Sequence, residues 1–242
     1  MNAHRQDGPP AGMSRREWRE KRVAATDESA VLPGFLGGPV TAEESQTPLT
    51  ILTVCTGNIC RSPLAEVLLR ARLEPLGVRV HSAGTHALVG HGMPEPALEL
   101  ALESGADPEA ASAHHARYLV EPLLSDADLI LTMAREHRSH VVKMMPNRLR
   151  RTFTIREFAR LASTLSTEDA RAAAEAAGVS PHDRLAAVLR SVVEQRGLTP
   201  STAEEDDVID PYRRSRETYA RSAAELVPTL DEVERIVRAA IV

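Results

Sequence analysis

The stretch Leu52–Glu66, "LTVCTGNICRSPLAE", decides how the rest of the chain reads. It overlaps "LTILTVC" (Leu49–Cys55), a compact apolar run with the character of a strand buried on both faces. It continues into "SPLAEVLLRARLEPLG" (Ser62–Gly77), where apolar residues recur at helical spacing. Ser62 is expected at the cap of that helix, Pro63 in its first turn and Gly77 at its end. Both cysteines of the chain, Cys55 and Cys60, fall between strand and helix. A strand, a short loop and a helix make an anion site, because the first helical amides are unpaired and the helix dipole is positive there. Cys55 ends the strand, five residues follow, and Arg61 closes the loop. The loop amides from Thr56 to Cys60 can face one centre, and Gly57 is expected to permit the tight turn. Arg61 can grip two phosphate oxygens. Cys55 lies under the same centre, where the positive field favours the thiolate. A thiolate under a bound phosphate is a nucleophile for in-line displacement at phosphorus.

Outward from the loop, strands alternate with helices. "VRVHSAGT" reads as a second strand, Pro94–Ser104 as a helix, and "DADLILTM" contains a third strand. Ala134–Met145 reads as a helix, "RRTFTI" as a fourth strand, and Arg156–Leu161 begins another helix. The alternation implies an α/β fold, a four-stranded parallel doubly wound sheet flanked by helices. Residues 163–205 interrupt the scheme with two Ala-rich amphipathic segments, most simply an inserted helical hairpin on the surface. The domain, residues 48–242, resumes at "DVIDPYRRSRETY" with a short strand end, a loop and a long closing helix that Pro228 can kink or split. Residues 1–47 are rich in Gly, Pro and charge and read as a disordered or loosely packed tail, with a short helix over Ser14–Val23. The alternative is an ordered arm anchored by Trp18.

Bulk properties narrow the classes. The 242 residues suit one α/β domain with extra segments. A net charge of −5 with mixed signs argues against a general nucleic-acid or acidic-membrane binder. The basic run "PNRLRR" (Pro146–Arg151) has no interleaved aromatics and reads as a solvated helix-to-strand connection. No apolar run approaches the roughly 20 residues of a membrane span, and the first residues lack the apolar core of a secretory signal. Two cysteines cannot build a disulfide framework for this length. Together these point to a soluble cytoplasmic protein with reduced thiols, no membrane insertion and no nucleic-acid partner.

Displacement at phosphorus needs a proton donor for the leaving oxygen. "VIDPY" offers Asp210, held by Pro211 and followed by Tyr212; without the cysteine loop it would be a plain Asp-Pro turn. The bland alternative for the loop itself is two ordinary buried cysteines beside a surface arginine. Zinc is a further alternative, but Cys55 and Cys60 lack nearby histidines and a second cysteine pair. No metal and no cofactor is expected.

"VCTGNICRSPLAE", "SAGT", "HHAR", "DLILTM" and "DPYRRSRETY" follow one another as in the low-molecular-weight protein tyrosine phosphatases, and the chain resembles that family over residues 49–162 and 206–240. The resemblance implies that Cys55 is the nucleophile that becomes phosphocysteine. It implies that Arg61 stabilises the transferring phosphoryl group, and that Asp210 is the general acid and then the base. Ser62 is similar to the hydroxyl that supports the departing thiolate. Asn58, Ser82 and His114 match the network that fixes the loop, with Thr56, Gly57, Ile59 and Cys60 lining it. Cys60 resembles a second loop cysteine able to pair reversibly with Cys55 on oxidation; the alternative is a small packing residue. "SAGTHALVGHGMPEPA" and "DPYRRSRETY" look like the bacterial branch tied to exopolysaccharide export, whose partner is a tyrosine kinase with a tyrosine-rich tail. Leu88 stands where many members carry an aromatic wall, and Arg213 where eukaryotic members carry a second tyrosine. Tyr212 and Leu88 would still flank a phenyl ring, and Arg213 could meet acidic residues beside the phosphotyrosine.

Two other functions compete with a phosphotyrosine phosphatase. An arsenate reductase on the same fold would need an external small thiol, since no cysteine lies outside the loop. A non-catalytic phosphotyrosine-binding module would predict loss of Cys55, Arg61 or Asp210, and all three are present.

Overall fold

The computed structural model describes residues 47–242, which form one unit. The tail expected over residues 1–47, with its Ser14–Val23 helix and Trp18, lies outside the described residues except for Thr47.

Strand β1 (Thr50–Cys55) is buried at every position. Leu49, Ile51 and Cys55 face one apolar cluster, and Leu52 and Val54 face another. That two-residue alternation with both sides apolar is why the segment reads as one unbroken hydrophobic run. Helix α1 (Arg61–Leu73) follows, and Gly77 ends the turn after it in the left-handed region, at φ 79°. Next come β2 (Arg79–Gly84), α2 (Glu95–Glu103), α3 (Pro108–Ser112), α4 (Glu121–Asp126) and β3 (Leu129–Thr132). Then follow α5 (Arg135–Met144), a 3-10 turn over Pro146–Arg151, β4 (Thr152–Thr154) and α6 (Ile155–Ala162). All strand pairs are parallel, in the order β2-β1-β3-β4, and Cys55 pairs with Gly84 at the carboxyl edge. The expected four-stranded parallel sheet flanked by helices is therefore present. The short α3 and α4 were not expected, since each is at most 6 residues and too brief to show a period.

Two details differ from the sequence reading. Helix α1 is capped at Cys60 rather than Ser62: the Ser62 hydroxyl donates to the Cys55 sulfur and accepts from no helix amide. No strand precedes Asp210. Val208 donates to the Met133 carbonyl at 2.9 Å, but its own carbonyl accepts from Arg61 and the Ile209 N–H goes to Glu225, so no ladder can form. The break expected at Pro228 is present: the closing helix is split into α10 (Arg216–Leu226) and α11 (Thr229–Ile241), after α9 (Ala203–Asp206).

The largest difference concerns residues 163–205. Their two helices, α7 (Thr167–Ala176) and α8 (Pro181–Glu194), are each capped by a serine hydroxyl. They are not a surface appendage. Ala170, Ala174, Leu185 and Val188 are buried in the same apolar cluster as Val233 and Ile236 of α11. The Ala-rich faces allow close helix approach, and burying them adds apolar area to the main core.

Gly84 closes the edge of β2 against the cysteine loop. A methyl group there would lie 2.5 Å from the Thr56 carbonyl oxygen and 3.0 Å from the Asn58 nitrogen, both backbone atoms. Gly84→Ala is expected to cost about 1–3 kcal/mol of stability through overpacking. Urea unfolding of the two proteins checks this, and an unchanged midpoint would contradict the close approach.

Candidate active site

The loop between β1 and α1 turns at Asn58, whose φ is 54°. This left-handed position is where Gly57 was expected to serve, but Gly57 does not adopt a positive φ. Asn58 tolerates the conformation because its short polar side chain bonds locally. The buried amide donates to the Ser62 hydroxyl at 3.0 Å and to the Ser82 hydroxyl at 2.7 Å. Its carbonyl accepts from the Arg117 N–H at 2.9 Å. The backbone carbonyl of Asn58 lies 2.8 Å from His114 Nε2. Ser82 in turn donates to Glu66, which lies 3.5 Å from His114 Nδ1. Burial pushes the Glu66 carboxyl up, but hydrogen bonds from His114 and Ser82 outweigh it and leave the group below its ordinary value.

This network ends at Cys55. Cys55 Sγ accepts from the Asn58 N–H at 3.2 Å and from the Ser62 hydroxyl at 3.0 Å. Two donors aimed at one sulfur, at the positive end of the 13-residue α1, suit a sulfur that carries negative charge. The segment after Gly84 runs along the loop: the His86 N–H donates to the Thr56 carbonyl and the Leu88 N–H to the Gly57 carbonyl. That brings Leu88 to the pocket mouth.

Arg61 links the two halves of the site. It is buried, donates through one terminal nitrogen to the Val208 carbonyl at 3.1 Å, and pairs through the other with Asp210 at 2.9 Å. Its Nε has no partner among the described residues. Asp210 is half exposed and also accepts from the Tyr212 N–H at 3.2 Å, so its backbone turn is fixed while one face stays open. The resulting cavity, of about 140 Å³, is floored by Cys55 and Arg61 and walled by Ile59, Leu88 and Tyr212, with Asp210 at its rim. An apolar slot over a sulfur and a guanidinium can hold a flat ring that carries an anionic group. Cys55, Thr56, Gly57, Ile59, Cys60, Arg61, Leu88, Asp210 and Tyr212 thus line the cavity, and Asn58, Ser62, Ser82 and His114 form the network behind it, while Arg213 lies over the Tyr212 ring outside the lining.

Cys60 also lines the cavity. Its thiol contacts the Tyr219 hydroxyl at 3.8 Å and packs with Ile59, Ala97 and Ala116. Burial pushes the thiol up to about 12, so at neutral pH it is a thiol and a weak attacking group.

Glu66, Gly84, Arg117, His86 and His137 belong to the site but were not singled out. Glu66, Gly84, His86 and Arg117 stood inside quoted motifs, but their partners are distant in sequence. His137, on α5, lies 2.8 Å from the Thr56 hydroxyl and is buried. Burial, then the charge of Arg61 and the neighbouring His140 and His86, lower it from the ordinary 6.5 to about 3. A histidine held neutral in the fold contributes stability that is present above 6.5 and lost as pH falls towards about 3. Melting temperature is expected to drop across that window, and less steeply in His137→Gln. Parallel curves for the two proteins would remove His137 as the cause.

Among the described residues, no group of three or more His, Cys, Asp or Glu side chains is placed to hold a metal ion, and no helix is long and apolar enough to cross a membrane.

Comparison with known proteins points the same way. The family model described as low molecular weight phosphotyrosine protein phosphatase matches residues 50–169. The low molecular weight protein-tyrosine-phosphatase Etp of Escherichia coli strain K12 is 45% identical over 97 residues, which is 40% of this chain and 62% of that one. The match thus spans less than two thirds of that relative. The probable low molecular weight protein-tyrosine-phosphatase EpsP of Ralstonia solanacearum is 41% identical over 108 residues, 45% of this chain and 71% of its own. The solved low molecular weight protein tyrosine phosphatase from T. tengcongensis superimposes with a TM-score of 0.52 at 30% identity, covering 76% of this chain and 97% of that one. The family match ends before Asp210, so Asp210 stands on its contact with Arg61.

Proposed function

Since the chain belongs to the low molecular weight protein-tyrosine-phosphatase family, we propose that it hydrolyses phosphotyrosine through a phosphocysteine intermediate. The observation that carries the proposal is Arg61, which joins the cysteine loop to Val208 and Asp210 and so sets an acid beside the nucleophile.

In the first step the Cys55 sulfur attacks phosphorus, the bond from phosphorus to the tyrosyl oxygen breaks, and Asp210 gives its proton to that oxygen. Arg61 and the loop amides hold the three remaining phosphoryl oxygens through the transition state. Ile59, Leu88 and Tyr212 flank the ring. In the second step the Asp210 carboxylate takes a proton from water, the water oxygen bonds to phosphorus, and the bond to sulfur breaks. Ser62 and the Asn58 N–H receive the returning negative charge on sulfur. The chemistry calls on no metal and no cofactor. The protein partner we propose is a bacterial tyrosine kinase whose phosphorylated tyrosine-rich tail meets the pocket in the cytoplasm, with Arg213 and Arg214 beside it.

The raised Cys60 thiol weighs against an internal disulfide relay, so arsenate reduction would have to draw on an external thiol. The test is turnover of a phosphotyrosine peptide in the presence of a chelator, with phosphoserine peptide, and arsenate plus small thiols, as parallel arms. Phosphotyrosine turnover alone supports the proposal. Tight phosphopeptide binding without turnover makes the protein a binding module, and arsenate reduction alone leaves Asp210 without its task.

A further inference from the structure

A second cavity, of about 420 Å³, opens beyond the carboxyl ends of β3 and β4, the edge of a parallel sheet where ligands are habitually bound. Helix α5 contributes Arg135 and Arg138, α6 contributes Glu157 and Arg160, the 163–205 segment contributes Arg196, and Asp206 stands at the end of α9. Four guanidinium groups therefore face two carboxylates, and four minus two leaves two positive charges unneutralised in the lining.

Both carboxylates are already shared. Asp206 lies 2.6 Å from Arg135 and 3.1 Å from Arg160. Glu157 lies 2.9 Å from Arg196 and 3.7 Å from Arg138. Burial alone would raise the Asp206 carboxyl, but hydrogen bonds from Arg135, Ser201 and Arg160 outweigh it and hold the group ionised. The buried Nε of Arg160 has no acceptor among the described residues. Arg138 is the least engaged, with one hydrogen bond to the Thr152 carbonyl at 3.3 Å beyond its long contact with Glu157. Planar guanidinium groups in excess around one cavity match the oxygens of a phosphate group.

The cavity is tied to the catalytic loop. Asp206 begins the segment that ends at Asp210. Asp207 accepts from the Arg135 N–H at 2.7 Å, and the Val208 carbonyl holds Arg61. An anion that draws Arg135 or Arg160 away from Asp206 would loosen the anchor of that segment.

We propose that this cavity is a second anion site, taking a small phosphate- or pyrophosphate-bearing molecule, and that its occupancy alters how the loop presents Asp210. The second clause rests on the catalytic reading of Asp210; the first does not.

The test uses the full chain and inorganic pyrophosphate as the probe. Calorimetry is expected to count two sites in the wild type, one at the Cys55 loop and one here. In Arg138→Gln the second site should weaken by about tenfold or more, as loss of one charge-assisted contact implies, and Arg138→Lys should recover part of it. At saturating phosphotyrosine peptide, where competition at the Cys55 loop vanishes, pyrophosphate should change kcat by about twofold or more in the wild type, a modest coupling, and leave Arg138→Gln unmoved. Melting curves verify that the variant folds, and Arg160→Gln serves if it does not. A single site in the wild type, or two undiminished sites in the variant, overturns the proposal. Two sites with an unmoved kcat overturn the coupling. Calorimetry on Cys55→Ser reports the second site even if the protein proves catalytically inert.

Discussion

Cys55→Ser is expected to lower phosphotyrosine turnover by on the order of 10⁴-fold or more, with peptide binding nearly unchanged. The serine oxygen is smaller than sulfur, so the loop can close around it without strain. Asn58 and Ser62 keep their places, because Asn58 is held independently by Ser82 and Arg117. Arg61 keeps its grip on Val208 and its charge in the pocket. What disappears is the sulfur nucleophile, since a serine hydroxyl has no base beside it here and attacks phosphorus poorly. Single-turnover hydrolysis and fluorescence binding of the same phosphopeptide separate the two effects. Activity within tenfold of the wild type would remove Cys55 from the mechanism.

Asp210→Asn is expected to lower kcat for a phosphotyrosine peptide by about 10²–10⁴-fold, the range of a lost general acid. The tyrosyl oxygen has a pKa near 10 and leaves poorly without a proton. An activated aryl phosphate, whose leaving group is stable as an anion, should be slowed far less. That contrast matters because Asp210 also pairs with Arg61, and the asparagine oxygen can still accept from it. If both substrates slow equally, Asp210 works by holding Arg61 rather than by giving a proton.

How much of this was legible in the sequence depends on the distance over which each residue acts. The β1 strand, the loop and α1 are local, and their residue types alone marked an anion site. Asp210 was visible because an acid was required and "VIDPY" supplied a rigid one. The conformational detail inside the loop was not. Gly57 looked like the turning residue, yet Asn58 takes the left-handed position, because its side chain finds three partners there and glycine has none to offer. Ser62 looked like a cap, yet its hydroxyl is claimed by Cys55. Glu66, Arg117 and His137 act through partners far along the chain, which no local pattern reveals. The inserted helices misled for a different reason. A face built from Ala170 and Ala174 contrasts weakly with its polar flanks, so its burial shows only when α11 is laid against it.

That burial reaches beyond stability. The turn between α7 and α8 holds Gly178, at φ 101°, and Val179, which is 92% exposed. A cut there would place Cys55 and Arg61 on one half and Asp210 on the other. Each half would lack what the reaction needs, yet each would carry one side of a shared apolar interface. Mixed together, the two halves should find one another, and the return of catalysis would report their reunion.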